Sequence, residues 1–431
     1  MPRGAFPDPA VRAAAWTIAL SAALAIFCAF VLALGKDPLA VVTATVRGAF
    51  GTPLGLSRTV GRAIPLLLLS AGLIPAFRAR FWNIGLNGSM LMGATAATGI
   101  SLYLPLGSAA ATSLAMVAGA IGAGAVWALV PGVLRLRFGT PEIIVSLLMN
   151  YVAQRIVDYL VFSAWKNPAG RGFPGTATFD QSLWLARWDA TKTTLPTWLP
   201  LPDGVGPPLQ AWLRAWGNSN IHTGLAIALL AVAGIAVLMN RSTWGLRIDV
   251  AGQGSRAARY LGISTGKVLL LVSVLGGGLA GIAGWSEVAG LNHRLEAGIG
   301  QELGYTAILV VALGALRPGL TAIAAFLVAG LLVGGSALQI SFGLPSALAG
   351  VLLWAILYGV INGQNLAERW AGTPRRGGGG PSSPTPDPPP AYIPLSASAS
   401  AGGLAYADND GRKLSHAVPP TPATTREGGP T

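Results

Sequence analysis

The sequence predicts an all-α polytopic membrane protein with about ten transmembrane helices. Three observations carry that prediction. Apolar runs long enough to cross a bilayer recur along the 431 residues. Only 10% of residues are charged and 52% are hydrophobic, whereas a soluble domain keeps about a quarter charged. Arginines stand singly or in pairs between the runs, as topology signals do. The same spacing argues against a nucleic-acid surface despite a net charge of +13, because no basic patch with interleaved aromatics forms.

The first span, 16–34, follows Arg3 and Arg12 and is expected to be retained, since no small-residue cleavage site precedes it. Residues 36–61 look like a Gly/Pro/Thr-rich connector, and 62–77 a second span interrupted at Pro65 and Pro75. Arg78 and Arg80 follow, then a polar, Gly-rich helix interruption at 81–89 that enters a third span ending near 104. The fourth span, 109–134, is rich in Gly and Ala and closes on Arg135 and Arg137. The fifth, 142–162, starts after Pro141; a polar Pro/Trp-rich insertion, 163–220, comes next. The sixth and seventh spans, 222–240 and 268–287, enclose a basic island at 241–267, and 303–316, 320–338 and 344–361 complete the set. Residues 373–431 are Pro/Gly/Ser/Thr-rich without periodicity and are expected to be disordered.

This division gives a short N-terminal segment 1–13, a transmembrane domain 14–372 and the tail. With both termini cytoplasmic, the short-loop arginines fall inside and the 163–220 insertion outside. Arg47 and Arg58 fall outside, against the trend.

On the fifth span Glu142, Ser146, Asn150 and Gln154 recur every four residues, followed by Asp158, making one polar stripe on an apolar helix. Such a stripe faces protein or water, so it either lines a path for a polar solute or bonds neighbouring helices. Glu142 also sits where a carboxylate complements the helix dipole, and Arg155 is spaced to pair with Asp158. Trp82, Asn83, Gly85, Asn87, Gly88 and Ser89 form irregular backbone at membrane depth, which survives only inside protein or beside a cavity. Gly277 with Gly281, and Gly330 with Gly334, have GxxxG spacing and imply close helix packing. Glu287 and Glu302 are expected in water at the outer rim.

The island carries Arg241, Arg247, Arg256, Arg259 and Lys267 against Asp249 alone. Ser255 is placed to cap a short helix through Leu261 that Gly262 would end. An ordinary positively charged loop would carry the same charge. No phosphate-binding loop exists, since Gly266-Lys267 is followed by Val268. Cys28 is the single cysteine, His222, His293 and His416 lack ligand spacing, and no catalytic set or proton relay appears. Neither a cofactor nor a metal is expected. Energy for uphill transport would then come from a partner docking on the island, the largest cytoplasmic loop.

Four segments resemble one family. Phe81-Trp82-Asn83-Ile84-Gly85-Leu86-Asn87-Gly88 is similar to the "FNIGxEGQ" segment of permease subunits of bacterial ABC importers for nucleosides and simple sugars, within the wider group of ribose and branched-chain amino-acid permeases. Residues 141–151 are similar to its "NEVISTIMLNYIA" helix, and residues 245–263 to its cytoplasmic "AARYAGI" loop. The stretch from Gly304 to Gly319 resembles its "GFTGIAVALLG" region, so the likeness covers roughly 60–365. Asn87 and Ser89 stand where nucleoside-type members usually carry Glu and Gln.

The resemblance implies a non-enzymatic permease in the bacterial inner membrane. It also implies an ATP-binding subunit, a second permease subunit forming a heterodimer, and an extracytoplasmic substrate-binding protein. Gly245, Arg247, Arg256, Arg259, Tyr260 and Gly262 would then belong to a coupling helix near 245–262. Trp82, Asn83, Gly85, Asn87, Glu142, Ser146, Asn150 and Gln154 would lie along the solute path. A nucleoside is the first expected solute, and simple sugars or branched-chain amino acids come next. An ion-coupled secondary transporter and a membrane-embedded enzyme are the rival classes. The first needs mid-membrane coupling carboxylates and the second a convergent catalytic set.

Overall fold

The structure is a computed structural model that describes residues 9–170, 172–189, 218–300, 302–343, 345, 350–355, 357–359 and 362–363. The tail at 373–431, residues 190–217 of the insertion, the first eight residues and part of 344–361 lie outside the described residues. The helices are α1 (Pro9–Ala33), α2 (Pro38–Phe50), α3 (Pro53–Arg78), α4 (Leu86–Tyr103), α5 (Ala109–Phe138) and α6 (Glu142–Tyr159). After them come α7 (Gly224–Arg241), α8 (Thr243–Gln253), α9 (Ser255–Tyr260), α10 (Thr265–Glu287), α11 (Leu303–Leu313) and α12 (Pro318–Phe342). Helices α6 and α10 each run on into a π turn, Leu160–Ala164 and Val288–Asn292.

The chain is a multi-pass helical membrane protein, but the described residues do not give ten full spans. Six helices are long and apolar enough to cross a membrane, or seven if α1 and α2, bent by 105°, form one broken span. Helix α4 is weakened by Asn87, Ser89, Thr95, Thr98 and Ser101, and α11 has only 11 residues. Hydropathy counts both as spans because it cannot separate contact with lipid from burial in protein.

The 36–61 connector is largely helical, forming α2 and the start of α3. Asp37 accepts the Leu39 N–H at the start of α2, and Thr52 accepts the Gly55 N–H at the start of α3. Pro38 and Pro53 occupy first-turn positions, where no backbone donor is missed. Nor do Pro65 and Pro75 interrupt α3, which runs unbroken for 26 residues. Its window is 89% buried and that of α10 61%, against 22–28% for α5, α6 and α7, so α3 and α10 form the interior.

Glycine lets α10 sit there. A Cβ on Gly276 would meet the Gly72 backbone of α3, and one on Gly284 the Met90 backbone of α4. Gly277 and Gly281 lie against the α5 backbone at Gly124 and Ala120. Gly330 and Gly334 do the same for α12 against Phe50 and Thr45 of α2. Both GxxxG pairs thus serve close packing.

Helix α4 begins beside Gly276, half-way along α10, and reaches Tyr103 against Trp165 at the insertion end. Helix α11 begins beside it, with the Gly304 N–H bonded to Asn87 Oδ1, and finishes near α12's start. The non-helical breaks, residues 79–85 and, of those described, 293–300 and 302, therefore precede α4, of 18 residues, and α11, of 11, which start together. Each break holds non-glycine residues at positive φ: Arg80 at 53°, His293 at 56° and Glu302 at 62°. Such conformations persist only where surrounding contacts enforce them.

The described part of the insertion supplies those contacts for the second break. Thr176 N–H bonds Leu295 O, Phe179 N–H bonds His293 O, and Leu185 N–H bonds Ala289 O. A short hairpin, β1 (Arg187–Asp189) with β2 (Asn218–His222), closes the arm. The Arg187 guanidinium donates to the Gly290 and Leu291 carbonyls that the π turn leaves free. It also reaches His293 Nε2 at 2.8 Å, while the Trp184 ring stacks on His293 at 3.7 Å. Burial holds the His222 imidazole down at about 4, with Arg187 and His293 adding to the effect.

Two outcomes follow from this packing. Gly281→Ala is expected to lower stability by about 1–3 kcal/mol through overpacking against α5, read as a fall in the thermal midpoint of the purified chain. Gly319→Ala, where a Cβ meets open space, is expected to change little; equal midpoints for both variants would contradict the close-packing role. His222 binds fewer protons folded than unfolded between about 4 and its ordinary 6.5. Its contribution is therefore complete above 6.5 and is lost as pH falls towards 4. Thermal midpoints measured across that window should fall less steeply for His222→Gln than for the native chain.

Candidate functional site

The first break is held by one face of α6. Asn150 Oδ1 accepts the Gly88 N–H at 2.8 Å, and its Nδ2 donates to Ile84 O at 3.0 Å and to the Tyr305 hydroxyl at 2.9 Å. One turn earlier, Ser146 Oγ accepts the Ile84 N–H at 3.1 Å while donating to Ile143 O. Four residues along a helix give one row of side chains, and this row lies against the interrupted backbone. The carboxamide thus uses both its donors and its acceptor.

Inside the break, Asn83 is 2% exposed and turns its own chain by accepting the Gly85 N–H at 2.9 Å. A Cβ on Gly85 would meet Asn83 Oδ1 at 2.9 Å and Ser146 at 3.1 Å, so only glycine allows this approach. Asn87 is the bridge to the second break, through Gly304. Asn83, Gly85, Asn87, Ser146 and Asn150 thus converge where α4 and α11 begin, with two helix N-termini adjacent.

Other expected site residues lie off this centre. Trp82 is 47% exposed with its ring on Phe77, and Glu142 pairs with Arg135 while its Oε1 lies 3.5 Å from the Trp82 N–H. Trp82 thus lies in the break but exposes its side chain, and Glu142 only edges it. Gln154 donates to Asp158 at 2.9 Å, and Asp158 pairs with Arg155 at 3.4 Å, a cluster on the far part of the stripe. Sequence reasoning missed Tyr305 and Trp127 as site residues. The Tyr305 hydroxyl completes the Asn150 network, and Trp127 Nε1, buried without a partner, lies over Gly88. The pairing of 84–88 with 303–305 brings in Tyr305 and the packing of α5 on α4 brings in Trp127, and neither residue has a spacing that announces it.

Glu287 departs from its expected place at the rim. It is 3% exposed, and Arg62 stands 3.8 Å away. The π turn carries the chain on past Glu287, so the span does not end in water there. Glu302 is exposed, as expected.

The 241–267 island forms two helices where one was expected. Ser242 caps α8 by accepting the Gly245 N–H at 3.3 Å, and Gly245 lies on the Leu238 and Met239 carbonyls. Arg247 covers the Trp244 ring at 4.8 Å. Asp249 receives both arms of Arg78, at 2.8 and 2.5 Å, fastening α8 to the end of α3. Ser255 is the first residue of α9 and makes no capping bond; the cap position is Gly254. Gly262 takes φ +68° and turns the chain back, so that Ile263 N–H bonds Ala258 O at 2.8 Å. Ala258 is buried, whereas Arg256 and Arg259 are exposed, Tyr260 is 91% exposed and Leu261 67%.

A family model described as the permease component of branched-chain amino acid transport systems matches residues 55–361. A glucose ABC transporter permease protein of Haloferax volcanii is 31% identical over 386 residues, 88% of this chain and 97% of that protein. A guanosine ABC transporter permease protein of Bacillus subtilis is 26% identical over 341 residues, 79% of this chain and 90% of that protein. A nucleoside ABC transporter permease protein of Lactococcus lactis is 25% identical over 316 residues, 72% of this chain and 80% of that protein. No solved structure matches the chain significantly.

Asn150→Leu removes the partners of the Ile84 carbonyl and the Gly88 N–H together, each worth about 1–3 kcal/mol when buried unpaired. Amide exchange in 84–88 is expected to quicken by at least about tenfold, with α9 unaffected. Unchanged exchange in 84–88 would show that the break stands without α6.

Proposed function

The chain belongs to the permease family of branched-chain amino acid transport systems and is a membrane permease subunit of the ABC class, and from that premise we propose that it carries a nucleoside or simple sugar inward, driven by a separate ATPase. The observation that carries the reading is α9: a short helix with a buried Ala258 behind and Tyr260, Leu261, Arg256 and Arg259 in front. An aromatic and a leucine held out on a braced turn, with arginines beside them, suit a groove on another protein. In this reading α8 and α9 are the coupling element and face the cytoplasm. The Arg78–Asp249 pair carries their movement into α3.

The solute path follows the paired breaks. Asn83, Gly85, Asn87, Ser146 and Asn150 hold them open as rigid half-helix ends, with Trp82, Glu142 and Gln154 along the margin. The backbone dipoles of α4 and α11 then converge on the path, as discontinuous helices do in other transporters. A second permease subunit of different sequence, an extracytoplasmic binding protein and the inner membrane complete the assembly. The sugar and nucleoside names of the relatives favour hydroxyl-rich solutes over branched-chain amino acids.

Tyr260→Asp places a charge on the exposed tip without touching the bundle. It is expected to cut ATP-driven uptake at least about tenfold in cells expressing the full assembly, the loss of one interface anchor. Arg259→Glu is expected to act in the same direction. Membrane levels of the chain should hold steady; normal uptake in both variants would refute docking through α9.

A further inference from the structure

We infer that this chain itself carries a solute subsite at the insertion end of α3, built for an uncharged, hydroxyl-rich moiety such as a ribose or hexose ring. The inference rests on the importer reading above and adds the place on this chain where the solute is held. A pocket of about 580 Å³ lies between the start of α3, β2 and the second half of α12, with Arg58, Arg62, Asn220, Glu302 and Ser336 as its polar lining. Leu291 and Leu332 supply apolar wall, against which the C–H face of a ring can lie.

The pocket is built around α3. Ser57 accepts the Asn220 N–H at 2.7 Å, and Gly61 lies against the Asn220 carbonyl, which seats β2 on one face of the helix. Arg58 and Arg62, one turn apart, are left to line the opening. Behind Arg62 stands Glu287, 3% exposed, with its Oε1 making no hydrogen bond. That oxygen is 3.8 Å from Arg62 Nη1, outside hydrogen-bond reach yet close enough to orient the guanidinium. Ser286 Oγ and His222 Nε2 are likewise buried without partners at this end of α10. Buried polar atoms left unpaired are costly, and their concentration where α10 passes into its π turn marks a functional site more than a packed core.

The donor set selects the ligand. Arginine only donates and carboxylate only accepts, whereas a hydroxyl does both and can bridge them. Arg58, Arg62 and Glu302 line the opening with Glu287 behind Arg62, so a hydroxyl-rich solute finds donors and an acceptor side by side. A ligand carboxylate drawn to Arg62 would approach Glu287, and an ammonium drawn to Glu302 would approach Arg58. Glu302, strained at φ 62°, directly precedes α11. Glu302 at the pocket is two residues from Gly304, whose N–H bonds Asn87 where the two breaks meet.

Saturation-transfer NMR on the full chain in lipid nanodiscs tests this with guanosine, D-glucose, L-leucine and D-glucuronate as probes. Guanosine or glucose should take up saturation through its sugar protons, while leucine and glucuronate should not. Arg62→Gln and Ser336→Val, the latter at an exposed position, should each weaken the hydroxylated probe by about tenfold, one lost hydrogen bond. Glu287→Gln should admit glucuronate, the readout of its role in positioning Arg62. No hydroxylated probe bound by the native chain, binding unchanged in both variants, or leucine bound as tightly would overturn the subsite. ATP-driven uptake by the assembled transporter separates the two readings. Uptake at native rates in both variants removes the subsite and leaves the importer standing, whereas no ATP-driven uptake by the native assembly removes the importer.

Discussion

Buried backbone groups that leave a helix need other partners, and this chain leaves helix at two largely buried places. Everything around the breaks is arranged to answer that constraint. The first break is satisfied from α6, whose Ser146 and Asn150 reach the Ile84 and Gly88 backbone. The second is satisfied from the insertion arm, whose backbone pairs with 289–295 and whose Arg187 takes the π-turn carbonyls. One break is thus held by side chains of a neighbouring span and the other largely by backbone, and they join at Asn87 and Gly304. An α6 without that polar face would leave 84–88 to refold or to draw in water.

Holding the breaks in place also requires neighbours that do not give way. Backbone-to-backbone approach at Gly276, Gly277, Gly281 and Gly284 leaves α10 no slack against α3, α4 and α5. Lipid offers helices no hydrophobic drive to associate, so contact density of this kind supplies the cohesion. It also explains why α4, too polar to span alone, is stable: most of its first three turns are buried in protein.

The sequence revealed what periodicity and spacing encode. The stripe at 142, 146, 150 and 154 announced a polar helix face, and GxxxG spacing announced the close contacts. What it left ambiguous, path or packing, turns on which backbone the stripe meets, and no spacing within α6 contains that. Glu287 was misplaced because an ionisable residue at the end of an apolar run looks like a rim residue. The π turn that carries the chain onward has no periodic signature. Residues 36–61 hid two helices because proline at a helix start looks, in sequence, like proline in a loop. Ser255 was one position from the cap for the ordinary reason that several small polar residues can start a turn equally well.

Two rigid rods connect the parts that the proposed mechanism must couple. Helix α3 carries Arg62 at the pocket and Arg78 at the elbow, sixteen residues and roughly 24 Å apart. Helix α10 leaves the elbow at Thr265 and ends at Glu287 behind that same Arg62. A tilt imposed on α8 through Asp249 therefore has no compliant segment in which to dissipate before it reaches the pocket. The glycine contacts allow α3 and α10 little room to slide past each other, so in this reading a force applied where α8 meets α3 moves them, with β2, as a unit against α12. On this reading the pocket changes shape between a helix pair that moves and walls that stay. Arg62, Glu287 and Asn220 travel together while Ser336 holds position, which is the relative motion an alternating-access subsite needs to grip a solute and then let it go.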